Sequence, residues 1–381
     1  FLQEALRWWD RWLKDIDTGV EDDPDYRAYL MDGMRPATWT HARPGRWIAQ
    51  ATGATSHLPI ETLHLTNDGL HDTPAPLNQS IASPAHCGAD SGEYCAIWLG
   101  PEMPGDQRQD DALSVCFDSG PLDQQMDIVG APRLHLRLAC DKPQGQIAVR
   151  LNHIHPDGAS ARITYGVLNL SHRDSAEHPK AMTPGAATDI TLDLDHIAYR
   201  IPKGHRLRVS ISTAYWPLLW PAPEAAEVTL SSGHIDLPQR PTNGGDEYSF
   251  APPTSAAPWE TETLRPENHI RRQEIDRVTG NISLIIEDDF GKLRDADHGL
   301  IAGSIARETW TIHPDDPLSA KGSCHWTEEL ERDGILLRTE TRSQMWSDAT
   351  HFHLSARLEA YENDKLIYER DVTEDIKRHF I

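Results

Sequence analysis

Two histidines separated by one residue, His153-Ile-His155, place two imidazoles on the same face of an extended segment, a spacing from which zinc enzymes draw ligands. The sequence names no third ligand, and the pair runs into Pro156-Asp-Gly158, a turn signal, so the segment also reads as an ordinary strand. His351-Phe-His353 repeats the spacing, but with 20 histidines in 381 residues such pairs arise by chance. Gly158-Ala-Ser160 continues as Ala161-Arg162, whereas a nucleophile elbow needs G-x-S-x-G to make its strained turn. His86-Cys87 suggests a thiol nucleophile, yet catalytic Cys and His meet in space rather than in sequence. Asp189, Asp193 and Asp195 lack the glycine and distal glutamate of a calcium loop. No catalytic residue is therefore assigned, and neither metal nor cofactor is expected.

The elements that carry these residues are mostly strands. Leu134, Leu136 and Leu138 alternate with Arg133, His135 and Arg137. Ile147/Val149/Leu151, Ile190/Leu192/Leu194 and Leu207/Val209/Ile211 repeat the pattern. Period-two alternation predicts sheets with one face buried and one wet, and Pro156-Asp-Gly158, Thr183-Pro-Gly185 and Pro202-Lys-Gly204 predict the turns between them. Many short strands at this spacing point to a sandwich or jelly roll. Before them, Leu2, Leu6, Trp9, Leu13 and Ile16 fall on one face of a helix that ends near Asp17-Thr-Gly19, with Trp8 and Trp12 widening the stripe. Such a stripe must pack on something. Tyr26–Met31 reads as a short strand, followed by Trp39 and Trp47 in a loop. Beyond a Pro/Gly-rich stretch, strands are predicted at 282–286, 306–312, 335–341 and 350–360, an antiparallel meander.

Taken together, Leu113–Leu122, Val149–Gly158, Gly166–Arg173, Gly204-His-Arg-Leu-Arg208 and Ala214–Pro223 resemble the C-terminal jelly-roll module of the CocE/NonD family of α/β-hydrolases, relatives of Xaa-Pro dipeptidyl-peptidases and cocaine esterase. The fold class so implied is mainly β. It comprises a helical tail of an α/β-hydrolase domain (1–50), a jelly-roll β-sandwich (51–237), a linker (238–262) and an antiparallel β extension (263–381). The resemblance implies that Leu6–Leu13 follows the catalytic histidine and packs on the hydrolase sheet; packing on the chain's own β-core is the alternative. The family's Ser, Asp and His would all precede Phe1, so this chain alone is expected to be inactive.

In relatives, the stretch before a motif like Asp106-Gln-Arg108 folds over the hydrolase pocket. By position Tyr94 and Trp98 become lid candidates, with packing beneath the loop as the alternative. Tyr215 and Trp216 are expected at a domain interface, with pocket lining as their second role, and Gly204–Arg208 is expected to be structural. The implied partners are an upstream catalytic segment and a small ester, amide or peptide substrate. A free-standing module binding carbohydrate or protein is the rival reading.

Bulk properties narrow the field. A net charge of −23 argues against nucleic acid and anionic membrane, which need a basic surface. No apolar run approaches the length of a membrane span. Five cysteines without a CxxC pair favour free thiols and a cytoplasmic setting over a disulfide framework. The tryptophan-rich helix, if left uncovered, would favour homo-oligomers.

Overall fold

The computed structural model describes residues 1–50, 58–96, 100–241 and 246–381. Helix α1 (Leu2–Lys14) is followed by strands β1 (Tyr26–Asp32) and β2 (Gly45–Gln50). Next come β3 (Ile60–Thr66), β4 (Gly69–His71), β5 (Gln79–Ile81) and the short helix α2 (Arg108–Ala112). The central strands are β6 (Val115–Asp118), β7 (Met126–Gly130), β8 (Arg133–Cys140), β9 (Gln146–Ile154) and β10 (Ser160–Asn169). They continue as β11 (Ala187–Asp193), β12 (Ile197–Ile201), β13 (Arg206–Ser212) and β14 (Val228–Pro238).

A six-stranded sheet (β11-β8-β14-β3-β4, with β5 on β14) packs against a four-stranded one (β10-β9-β13-β6). Their facing residues are those the alternation predicted. Leu134, Leu136 and Leu138 of the first meet Val149, Leu151, Val209 and Ile211 of the second in one continuous core. A third sheet, β2-β1-β12-β7, adds Met126, Ile128, Tyr199 and Ile201 to the same core. Its strands β1 and β2 lie within the stretch expected to be hydrolase tail, yet β1 runs parallel to β12 and is hydrogen-bonded to it. Trp47, expected in a loop, sits on β2 opposite Tyr29. Gly158, Gly185 and Gly204 each adopt positive φ in the three predicted turns, where a side chain would be strained.

The C-terminal part is one eight-stranded antiparallel sheet: β15 (Thr261–Arg265), β16 (Asn268–Ile275), β17 (Ile282–Asp295), β18 (Ile301–His313), β19 (Asp316–Arg332), β20 (Ile335–Ser347), β21 (His351–Glu362) and β22 (Lys365–Lys377). The four predicted strands fall on the first part of β17, the second half of β18, the first half of β20 and nearly all of β21. Strand β22 goes unpredicted because it is exposed throughout and so has no buried face. This sheet meets the sandwich through Trp216, Trp220 and Trp310, with Ala85, Ile312 and Ala320 filling the seam. The Trp220 indole N–H donates to Ser347 Oγ at 2.9 Å.

Helix α1 departs from the usual way an amphipathic helix sits. Its polar face is turned to the chain: Arg7 pairs with Glu4 and Asp23, Arg27 with Glu4, and Gln3 Nε2 donates to the Pro252 carbonyl. The opposite, apolar stripe is uncovered, with Leu6 57%, Trp9 54% and Leu13 72% exposed. It therefore does not pack on this chain's own core. No helix among the described residues is long and apolar enough to cross a membrane.

Candidate functional site

The second face of the four-stranded sheet explains how the long loop before β6 is held. Strand alternation puts Arg150, Asn152, Arg208 and Ser210 on that face, with Arg150 opposite Ser210 and Asn152 opposite Arg208. Such a face would ordinarily be wet. Here the segments 83–96 and 100–112 lie against it, and Asp110 and Asp111 supply the matching carboxylates.

Asp111, at the end of α2, is the hub. Its Oδ1 accepts from Ser210 Oγ at 2.7 Å and Asn152 Nδ2 at 3.0 Å, and lies 3.2 Å from Arg150. Its Oδ2 accepts from Ser160 Oγ at 2.8 Å and Arg208 at 3.1 Å. Asp110 accepts the backbone N–H groups of Gly88 and Asp90 and faces Arg150 at 3.8 Å. Gln107 is fully buried; its amide donates to the Asp90 and Gly105 carbonyls and its oxygen accepts from Arg150. Arg150 is itself completely buried and also donates to Ser114 Oγ at 2.8 Å. Buried charges persist only when paired and hydrogen-bonded in this way. The Asp106-Gln-Arg108 motif is thus the start of a fastener.

The electrostatics follow from burial. Desolvation raises the Asp110 carboxyl, opposed by Arg150 and the two N–H donors. Burial, then the charges of Asp110 and Asp106, push Asp90 up to about 6. Cys87 is fully buried and its thiol is pushed up to about 12, so His86-Cys87 offers no thiolate nucleophile. Ser160 sits buried on β10, donating to Asp111, and the turn before it is the predicted hairpin. Sequence reasoning overlooked Asp110, Asp111 and Arg150. The available signal was an arginine among apolar neighbours, Ala148-Val-Arg-Leu151, together with the Asp110-Asp111 pair one residue after the motif.

The expected lid residues separate. Tyr94 is 83% exposed on the fastened loop, while Trp98 lies outside the described residues. Tyr215 is completely buried, its hydroxyl 2.6 Å from Arg162, and Trp216 packs edge-on against Trp220 and Trp310 in the seam between sandwich and eight-stranded sheet. Both lie inside the chain and present no surface to a substrate. Next to the loop is an open cavity of about 270 Å³ lined by Met31, Met34, Pro36, Met103, Tyr165 and Tyr199.

The histidines also separate. His153 and His155 stack at 4.2 Å, and the third histidine that the sequence did not name is His205, from the Gly204–Arg208 segment. His153 Nε2 lies 2.6 Å from His205 Nδ1, and His155 Nε2 donates to the Met34 carbonyl at 3.1 Å. Burial, then the neighbouring His155, His205 and Arg43, pull His153 down to about 3. His351 and His353 lie at 6.4 Å on the outer sheet, where Asp375 and Asp348 raise His353.

Comparison with known proteins gives these arrangements a context. Residues 18–251 match the family described as the X-Pro dipeptidyl-peptidase C-terminal non-catalytic domain. A Mycobacterium bovis protein carrying the name serine esterase is 24% identical over 259 residues, covering 62% of this chain and 40% of its own length. Cocaine esterase of a Rhodococcus species is 22% identical over 122 residues, or 31% of this chain and 21% of that protein. Among solved structures, a CocE/NonD family hydrolase from Staphylococcus aureus aligns over 63% of this chain and 46% of its own, at 13% identity and a TM-score of 0.46. The chain spans about two-fifths of the length of the M. bovis relative.

Proposed function

This chain belongs to the family of X-Pro dipeptidyl-peptidase C-terminal non-catalytic domains, and on that premise we propose that it is the architectural β module of a serine hydrolase. In the whole protein, a serine activated by histidine would attack an ester, amide or Xaa-Pro peptide carbonyl and pass through an acyl-enzyme. This chain contributes no triad residue. It caps the hydrolase domain and walls one side of the acyl pocket.

The observation that carries this reading is helix α1. Its polar face is tied down by Arg7, Arg27 and Gln3, and Leu6, Trp9 and Leu13 point away from the chain. A stripe of that kind is a surface for another body of protein. The hydrolase sheet fits it in chemistry, and the exposure of Tyr94 on the fastened loop, beside the Met31/Met103/Tyr165 cavity, supports a pocket-wall role for that loop. Anchoring by Asp111 and Arg150 supports a rigid wall.

Fluorophosphonate labelling read by intact mass tests the assignment. The 381-residue chain alone is expected to remain unlabelled, and the same chain joined to its Ser/Asp/His segment to take one label there. An adduct on this chain alone would overturn the reading. In the joined protein, Leu6→Glu/Leu13→Glu is expected to lower kcat/KM at least about tenfold, equivalent to about 1.4 kcal/mol. The substitution should leave stability of this chain within about 0.5 kcal/mol, because both side chains are exposed.

A further inference from the structure

The register of the six-stranded sheet aligns histidines across neighbouring strands. His64 on β3 is opposite His234 on β14, and His234 is opposite His135 on β8. The His135 and His234 rings lie 4.6 Å apart, and the His64 ring is 5.7 Å from His234. Asp236, two residues along β14, shares the face of His234, and its Oδ2 is 3.7 Å from His135 Nε2. One donor atom from each of His135, His234 and Asp236 lies within 4.8 Å of the other two.

We infer that His135, His234 and Asp236 form a zinc-binding site on the outer face of the sandwich, with His64 within reach of the fourth position. Two imidazoles and one carboxylate are a donor set that suits zinc. Zinc–ligand bonds of about 2.0–2.1 Å in a tetrahedron place donor atoms roughly 3.3–3.4 Å apart, so the 3.7 Å gap needs only a small closure. At that separation His135 and Asp236 are not hydrogen-bonded to each other. Each is instead steadied from behind. Thr62 Oγ1 donates to the other carboxylate oxygen of Asp236 at 2.6 Å, and Thr191 Oγ1 lies 3.2 Å from His135 Nδ1, leaving Nε2 toward the site. Outer hydrogen bonds of this kind orient metal ligands. The flanking cations are already matched: Arg133 is paired with Asp193 and Arg137 with Asp189. Both imidazoles border an open cavity of about 330 Å³, which gives the ion access from solvent.

The His153/His155/His205 cluster is the natural comparison and is the poorer site. It has no carboxylate, His153 and His205 already bond each other at 2.6 Å, and His155 is engaged by the Met34 carbonyl. It serves as the internal control. The zinc inference stands independently of the hydrolase reading.

The test is calorimetric titration of the chelator-stripped 381-residue chain with Zn²⁺, with Co²⁺ absorption reporting the coordination geometry. One zinc per chain and a four-coordinate cobalt spectrum are expected. His234→Ala and Asp236→Asn should abolish both, Thr62→Val should weaken zinc about tenfold, and His205→Ala should change neither. Asp236→Asn preserves the side-chain shape, so loss of binding there reports the ligand rather than misfolding. Absence of stoichiometric binding would overturn the inference, as would binding that survives His234→Ala or is lost in His205→Ala.

Discussion

Asp111→Ala is the substitution that best tests whether the loop is held by charge. Asp111 sits beneath five donor side chains, those of Arg150, Asn152, Ser160, Arg208 and Ser210, and its side chain is 3% exposed. Removing it strands Arg150, whose side chain has no exposed surface, and leaves the two hydroxyls and one amide without this acceptor. Breaking a buried pair from one side costs about 3–5 kcal/mol. Arg150 keeps Ser114, Gln107 and the more distant Asp110, which places the expectation toward the lower end of that range. With a urea m-value of about 3 kcal/mol/M, the midpoint followed by tryptophan fluorescence should fall by about 1 M or more. Hydrogen exchange should quicken first in the amides of 83–96 and 100–112. Asp118→Ala is the matched control, because it removes the other carboxylate of Arg208 from a partly exposed position and should cost about 1 kcal/mol or less. Equal losses in the two variants, or a loss below about 1 kcal/mol for Asp111→Ala, would refute a charge-held loop.

Two further expectations concern the same loop. Asp90 has a raised pKa in the folded chain, so the native state holds its proton more tightly than the unfolded state. Stability from this group is present below about pH 4 and is lost as pH rises through about 6. Asp90→Asn should therefore stabilise the chain at pH 8 relative to the parent and make no difference near pH 3.5; an equal effect at both pH values would contradict the burial argument. Cys95 is exposed, whereas burial raises the thiols of Cys87, Cys116, Cys140 and Cys324. The first equivalent of a disulfide reagent should modify Cys95 in the native chain and vanish in Cys95→Ser; rapid modification of Cys87 would show that the loop opens.

The sequence by itself determined the β architecture. A two-residue period is a local property, and Leu134/Leu136/Leu138 or Leu207/Val209/Ile211 have one face for the core whatever else the chain does. The turns were legible for the same reason, since Gly158, Gly185 and Gly204 meet a backbone requirement that few other residues satisfy. Strand β22 escaped because a strand exposed on both faces carries no alternation. The outer faces of strands were also opaque. Arg150 in β9 reads as a solvent residue until Gln107, Asp110 and Asp111 are folded over it, and the interface expected of Tyr215 and Trp216 finds its partners only in the fold, Arg162 for Tyr215 and the seam with the eight-stranded sheet for Trp216. His135 and His234 are nearly a hundred residues apart, and only the register of β8 on β14 makes them neighbours. Local spacing dictates which way a side chain points; which group it meets is set by strand pairing and loop closure, and those are decided by contacts distant in the chain.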